Sequence, residues 1–247
     1  MSSTVDLKQI GRLIDVSAVR TDVTMDEIDK MVEVAKKFDC ICAFAMPSFT
    51  DYLIEQLKAN EVSNTFVGGV VGFPSGADTT EIKVLAAKQL LEKGCSELDM
   101  VVNVGALKSN RDQTFKDDIK AVVEAAGNTP VKTILEISYL TDDEIKRGST
   151  LAVEAGASFV KTGTGWGPKP TTVEVIKLIK STIGDSAKIK AAGGVRDLDT
   201  LLAMVEEGCS RFGIGIRSAI SILEEAYRRE GIELTISDEN TSETDRY

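Results

Sequence analysis

Eight short runs rich in apolar and β-branched residues recur along the chain, at 13–15, 41–44, 65–72, 97–102, 131–136, 158–162, 188–191 and 211–214. Their centres lie roughly 23–35 residues apart, which is the length of one strand plus the helix that returns the chain for the next. Helical patterns fill the gaps at 24–37, 79–93, 112–126, 141–155, 171–183, 197–207 and 217–229. Thr24-x-x-Glu27 and Thr141-x-x-Glu144 open two of these with the reciprocal capping pattern, and 79–93 and 112–126 repeat apolar residues at three- and four-residue spacing. Regular alternation without a break in composition predicts one α/β domain built on a parallel sheet. An open, doubly wound sheet is the structural alternative. Eight even units fit closure better, and 247 residues is the usual length of a (β/α)8 (TIM) barrel. The barrel is expected over 1–234, followed by a flexible acidic tail over 235–247.

The chain contains no histidine. Ser-His-Asp and Cys-His catalysis and His-based metal sites are thereby excluded, and acid–base work falls to Asp, Glu, Lys, Tyr, Cys or water. The four cysteines lack zinc-site spacing; Cys40 and Cys42, inside an apolar run, read as buried thiols. No metal and no cofactor is expected. A net charge of −10 argues against a nucleic-acid partner, which needs concentrated Lys and Arg. A small phosphorylated substrate needs only one local electropositive pocket. No run is long enough to span a membrane and no secretory leader is read, so the cytoplasm is the expected compartment. The sequence leaves oligomeric state open; a homo-oligomer is compatible with it.

In a (β/α)8 barrel, chemistry sits at the C-terminal ends of the strands. The polar residues expected there or within the strands are Asp15, Asp99, Lys132, Glu136, Lys161 and Lys190. Lys161 and Lys190 fall on consecutive strands, about 4.8 Å apart in a sheet. Like charges at that range disfavour protonation, partial burial adds to the effect, and an amine must be neutral to attack a carbonyl. Asp99 can relay protons or pair with a lysine. The plain alternative is that these lysines reach solvent, each tied to an acid. Gly163 and Gly165, Gly193 and Gly194, and Gly213 and Gly215 follow the last three strands, where backbone N–H groups can cradle a phosphate. Each pair can also be only a tight turn.

The segments Val160-Lys-Thr-Gly-Thr-Gly165, Lys190-Ala-Ala-Gly-Gly-Val-Arg196, Glu97-Leu-Asp-Met-Val-Val-Asn103, Gly72-Phe-Pro-x-Gly76 and Leu135-Glu136 resemble the deoxyribose-phosphate aldolase family, in that family's order, and the similarity runs from about Ile14 to Glu224. The resemblance implies a metal-free, reversible cleavage of 2-deoxyribose 5-phosphate to glyceraldehyde 3-phosphate and acetaldehyde. It implies Lys161 as the Schiff-base lysine, Lys190 as the cation that lowers its pKa, and Asp99 as the group that assists proton transfer through a water. Asp15 and Ser17 fall on the substrate side, Gly193, Gly194 and the loop at Gly213–Gly215 hold phosphate, and the terminal Tyr247 helps move the substrate proton. There are departures. The first strand reads Asp15-Val16-Ser17 where Asp-His-Thr is frequent, Phe44 stands where a cysteine is frequent, and the stretch after Lys161 reads Gly165-Trp-Gly-Pro-Lys-Pro170. The last loop reads Gly213-Ile-Gly-Ile-Arg217-Ser218 where hydroxylated pairs are frequent, which leaves Arg217 to contact phosphate or face solvent. The lysine segments are intact and the phosphate end is altered. The rival readings are a Schiff-base aldolase acting on another aldehyde, ketose or phosphorylated sugar, and a barrel that only binds a phosphorylated metabolite.

Overall fold

The computed structural model describes residues 5–236. Eight parallel strands close into a barrel in sequence order: β1 (Ile14–Ala18), β2 (Cys42–Ala45), β3 (Phe66–Val71), β4 (Glu97–Val101), β5 (Val131–Ile134), β6 (Phe159–Lys161), β7 (Lys188–Ala192) and β8 (Cys209–Gly215), with β8 paired back to β1. Of the two arrangements open to eight even units, the closed one is adopted. Around the barrel lie α1 (Met25–Lys37), α2 (Thr50–Ala59), α3 (Thr80–Lys93), α4 (Val104–Lys108), α5 (Asp112–Ala126), α6 (Asp142–Glu154), α7 (Val173–Ile183), α8 (Leu198–Glu206) and α9 (Ile216–Arg229). Both capping boxes form: Thr24 and Glu27 open α1, and Thr141 and Glu144 open α6. Each satisfies two otherwise orphaned backbone donors at a helix start.

Three features differ from the sequence expectation. Helix α2 is absent from the sequence pattern; it follows a 3-10 turn at Pro47–Phe49 and has no side-chain cap, so the usual start signal is missing. Helix α4, five residues long, is too short to show a period. Strand β1 begins at Ile14 and runs to Ala18, which puts Asp15 near its start and not at its end. Of the expected tail over 235–247, residues 237–247 lie outside the described residues. The Ile236 side chain is buried, and its N–H donates to Glu224 Oε1 at 2.7 Å, so packing continues through Ile236.

The main apolar core lies between strands and helices, fed by the outward-facing residues of each strand, such as Val16, Leu98, Met100, Val160, Ile189 and Phe212. Inside the barrel the usual layers of branched aliphatics shrink to a small cluster of Cys42, Phe44 and Val70. Beside it the interior holds seven charged side chains, with the Phe159 ring against Lys132 and Arg211. Gly68 makes room for the Phe44 ring, since a Cβ there would lie 2.1 Å from it. All four cysteines carry free thiols and are buried, and burial pushes the Cys40 thiol up to about 12.

Candidate active site

Side chains two apart on a strand share a face, so Glu97 and Asp99 both point into the barrel. Strand register then brings their partners alongside. Asp99 is level with Lys132, Lys161 with Lys190, and Lys190 with Arg211. The result is a buried ionic layer in which Lys132, Lys161, Lys190 and Arg211 face Asp15, Glu97 and Asp99, four positive side chains against three negative.

Asp99 is the hub. Its Oδ2 accepts from Lys161 Nζ at 2.7 Å and from Lys190 Nζ at 2.6 Å, while its Oδ1 lies 3.3 Å from Lys132. The two lysines expected to stand side by side therefore sit on one carboxylate oxygen. Lys190 also reaches Asp15 Oδ2 at 2.5 Å. Arg211 joins Asp15 at 2.6 Å to both oxygens of Glu97 at 3.1 Å, and Lys132 pairs with Glu97 as well. The Phe44 ring offers its face to Lys190, 4.2 Å from the centroid, and to Lys132 at 5.0 Å.

The electrostatics separate the lysines. Burial lowers the Lys161 amine from its ordinary 10.5 to about 8; Asp99 opposes the change and Lys190 reinforces it. Strand spacing alone credits the lowering first to the second cation. In the structure loss of water around the ammonium is the largest cause, and the attraction of Asp99 exceeds the repulsion of Lys190. Lys132 moves the other way: burial disfavours its charge, but Asp99, Asp15 and Glu97 outweigh burial and raise its pKa. Burial likewise penalises the Asp99 and Asp15 carboxylates, and the surrounding cations hold both below the usual range. The side chain of Lys161 is 8% exposed against 1% for Lys190 and 0% for Lys132, so Lys161 is the one a small molecule can reach.

Lys161 lies in a tight pocket of about 50 Å³ lined also by Ser17, Thr164, Gly213, Gly215 and Ser218. A cleft of about 730 Å³ adjoins it through Gly165, Gly193, Gly194 and Arg196 and carries Gly163, Glu136, Trp166, Lys169 and Arg20. The amine with the lowered pKa opens into the smaller chamber and not the larger one. Gly194 adopts φ +87°, and a Cβ there would come 2.3 Å from Pro170, so only glycine lets the β7 loop fold against the loop after β6. Gly213 gives Lys190 its space: a Cβ there would lie 3.1 Å from Lys190 Cε.

Most of the residues singled out in the sequence converge on these two chambers. Asp15, Asp99, Lys190 and Arg217 do not line either chamber; Asp99 and Lys190 are fully buried in the ionic layer behind Lys161. Asp15 is fully buried beneath the pocket, paired with Lys190 and Arg211. Arg217, in the first turn of α9, is exposed and lines neither chamber; the neighbouring Ser218 does. Tyr247 lies outside the described residues. Sequence reasoning missed Glu97 and Arg211 as members of the layer and Arg196 and Ser218 as pocket walls. Charges at alternate positions within buried strands were the available signal for the first pair. The donor atoms of Asp15, Cys42 and Glu97 fall within 4.8 Å of one another, but Lys132, Lys190 and Arg211 already occupy the carboxylates, so a metal ion would meet positive charge.

The family model described as DeoC/LacD family aldolase matches residues 5–219. A deoxyribose-phosphate aldolase of Sinorhizobium medicae is 42% identical over 230 residues, 93% of this chain and 92% of that protein. One from Methanothermobacter thermautotrophicus is 41% identical, covering 88% of this chain and 95% of that protein. Among solved structures, a putative deoxyribose-phosphate aldolase from Coccidioides immitis superposes with a TM-score of 0.85 at 31% identity, covering 90% of this chain and 87% of that one. A tetrameric deoxyribose phosphate aldolase from Aeropyrum pernix shares the fold, with a TM-score of 0.78 at 24% identity over 93% of this chain and all (100%) of that one.

Proposed function

The chain belongs to the DeoC/LacD aldolase family, and from that premise we propose that it is a class I aldolase, a carbon–carbon lyase that cleaves 2-deoxy-D-ribose 5-phosphate reversibly to D-glyceraldehyde 3-phosphate and acetaldehyde. The observation that carries this reading is the Lys161 amine, lowered to about 8 and opening into a pocket, with Lys190 on the same Asp99 oxygen.

Lys161 attacks the C1 aldehyde, and loss of water gives the iminium, which stays beside Asp99. A base takes the proton of the C3 hydroxyl, the C2–C3 bond breaks, and the triose phosphate leaves. The bond electrons pass to the iminium and form an enamine. Protonation at C2 and addition of water return acetaldehyde and free amine. Asp99 and Lys190, hydrogen-bonded to each other within reach of Lys161, supply a short proton path. The Tyr247 hydroxyl serves as a further proton carrier at C2.

The phosphate falls to Gly193, Gly194, Gly213 and Gly215, with Ser218 and Arg196 on the same wall. Helix α9 begins there without a side-chain cap, leaving N–H groups for an anion. No helix among the described residues is long and apolar enough to cross a membrane. On this reading the enzyme works in the cytoplasm in carbohydrate breakdown and assembles with copies of itself.

Borohydride reduction in the presence of acetaldehyde, followed by peptide mass mapping, tests the proposal. The expected result is a covalent adduct on Lys161 and none in Lys161→Leu. Failure of the wild-type enzyme to form an adduct overturns it. Turnover of phosphorylated against unphosphorylated deoxyribose separates this substrate from that of a related aldolase.

A further inference from the structure

We propose that Glu136 is a positioning residue that fixes the substrate-binding loop after Lys161, an inference that rests on the aldolase reading. Glu136 follows β5 and has φ 56° and ψ 59°, a left-handed conformation that a residue with a Cβ enters rarely. Hydrogen bonds to the neighbouring strand hold it there on both sides. Leu135 N–H donates to the carbonyl of Lys161 at 2.9 Å, and Ile137 N–H to that of Thr162 at 3.0 Å. The unusual backbone thus lies directly across from the Schiff-base lysine, and strained residues held this firmly concentrate at functional sites.

The side chain is buried and has no cation among its hydrogen-bond partners; both of its hydrogen bonds come from Thr164 in the loop. Oε2 accepts from Thr164 N–H at 3.2 Å and from the Thr164 hydroxyl. The Thr164 hydroxyl oxygen in turn accepts from Trp166 N–H at 2.9 Å. Oε1 lies against the loop's glycines: a Cβ at Gly163 or Gly167 would come 3.0 Å from it. At the far end the Trp166 indole N–H donates to the carbonyl of Val19 at 3.2 Å, and its ring packs edge-on against Phe73. One carboxylate therefore sets Thr164, and through it a wall that spans the loops after β1, β3 and β6. Lys161 itself is held separately by Asp99. Loss of the anchor loosens the grip on substrate and leaves the amine in place.

The test compares Glu136→Ala and Glu136→Gln in the full-length enzyme with deoxyribose 5-phosphate. Both bonds from Thr164 end on one oxygen, which a glutamine amide also provides. For Glu136→Ala the expected result is a KM raised at least about tenfold, the scale of a lost hydrogen bond to a charged group, with kcat changed much less. The pH midpoint should not move, acetaldehyde should still be trapped on Lys161, and Glu136→Gln should recover most of the loss. A fall in kcat at constant KM, or a glutamine variant as impaired as the alanine variant, overturns the proposal. Should Glu136→Ala not fold, Thr164→Val, which removes one of the two bonds, must raise KM in the same direction, and no rise overturns it. Absence of trapping in the wild-type enzyme is a different failure and strikes the aldolase reading alone.

Discussion

A buried lysine with a lowered pKa is a charge the fold would rather not hold, and Lys161 makes that cost measurable. Its amine sits near 8 in the folded chain and at its ordinary 10.5 once exposed. Between those values the unfolded chain keeps a proton that the folded chain has lost, so stability rises with pH across that window, and the penalty is present in full below it. Lys161→Met, inactive, should be more stable than the wild type at neutral pH by about 1–3 kcal/mol. Thermal unfolding at a series of pH values should show the gap closing as pH approaches 10.5. Lys190→Met acts on the same amine in the opposite sense. It removes a repulsion and leaves Asp99 Oδ2 to Lys161, so the amine pKa rises. The rising limb of kcat/KM against pH should move to higher pH, with about a tenfold loss of rate at pH 7 for every pH unit the limb travels; an unmoved limb would contradict the assignment. The lysine pair was legible because two lysines ending consecutive apolar runs have no packing explanation. Which of the two causes of the lowered pKa, burial or the second cation, is the larger was not, because the depth of burial depends on the closed barrel and not on neighbours in sequence.

At the scale of elements, the strands and capped helices were readable because each carries a local signal. Thr24 and Glu27, and Thr141 and Glu144, announce helix starts from four residues alone. Thr24→Ala and Thr141→Ala should each cost about 1 kcal/mol, read as a lower urea midpoint with kcat unchanged, since neither lines the site. Helices α2 and α4 lacked such signals. Asp15 was misplaced for a related reason. A slip of strand end by a few residues turns a mouth residue into a floor residue, and hydrophobic pattern alone does not fix the end. Arg217 shows the same limit on a helix. Its place at the start of α9 is readable from the pattern, but which way it faces depends on how that helix rolls onto β8.

For the molecule as a whole, the ionic layer exchanges a greasy barrel interior for matched charge, and this ties stability to acid. The carboxylates of Asp15 and Asp99 are held below their ordinary 3.8, so the stability they confer is present above that value and is lost as pH falls below it. Far-UV circular dichroism should stay flat from about pH 7 to about pH 5 and collapse below about pH 4. Loss of structure already near pH 5 would mean the carboxylates are not paired as described. Exposed surface pairs such as Lys120–Glu124 should matter little to this titration. Trp166 is the single tryptophan of the chain and stands at the mouth, its indole tied to Val19 and edge-on to Phe73. Ultraviolet emission excited at its absorption edge therefore comes from one place only. An unlabelled sample in a cuvette reports directly on whether its own doorway is empty or filled.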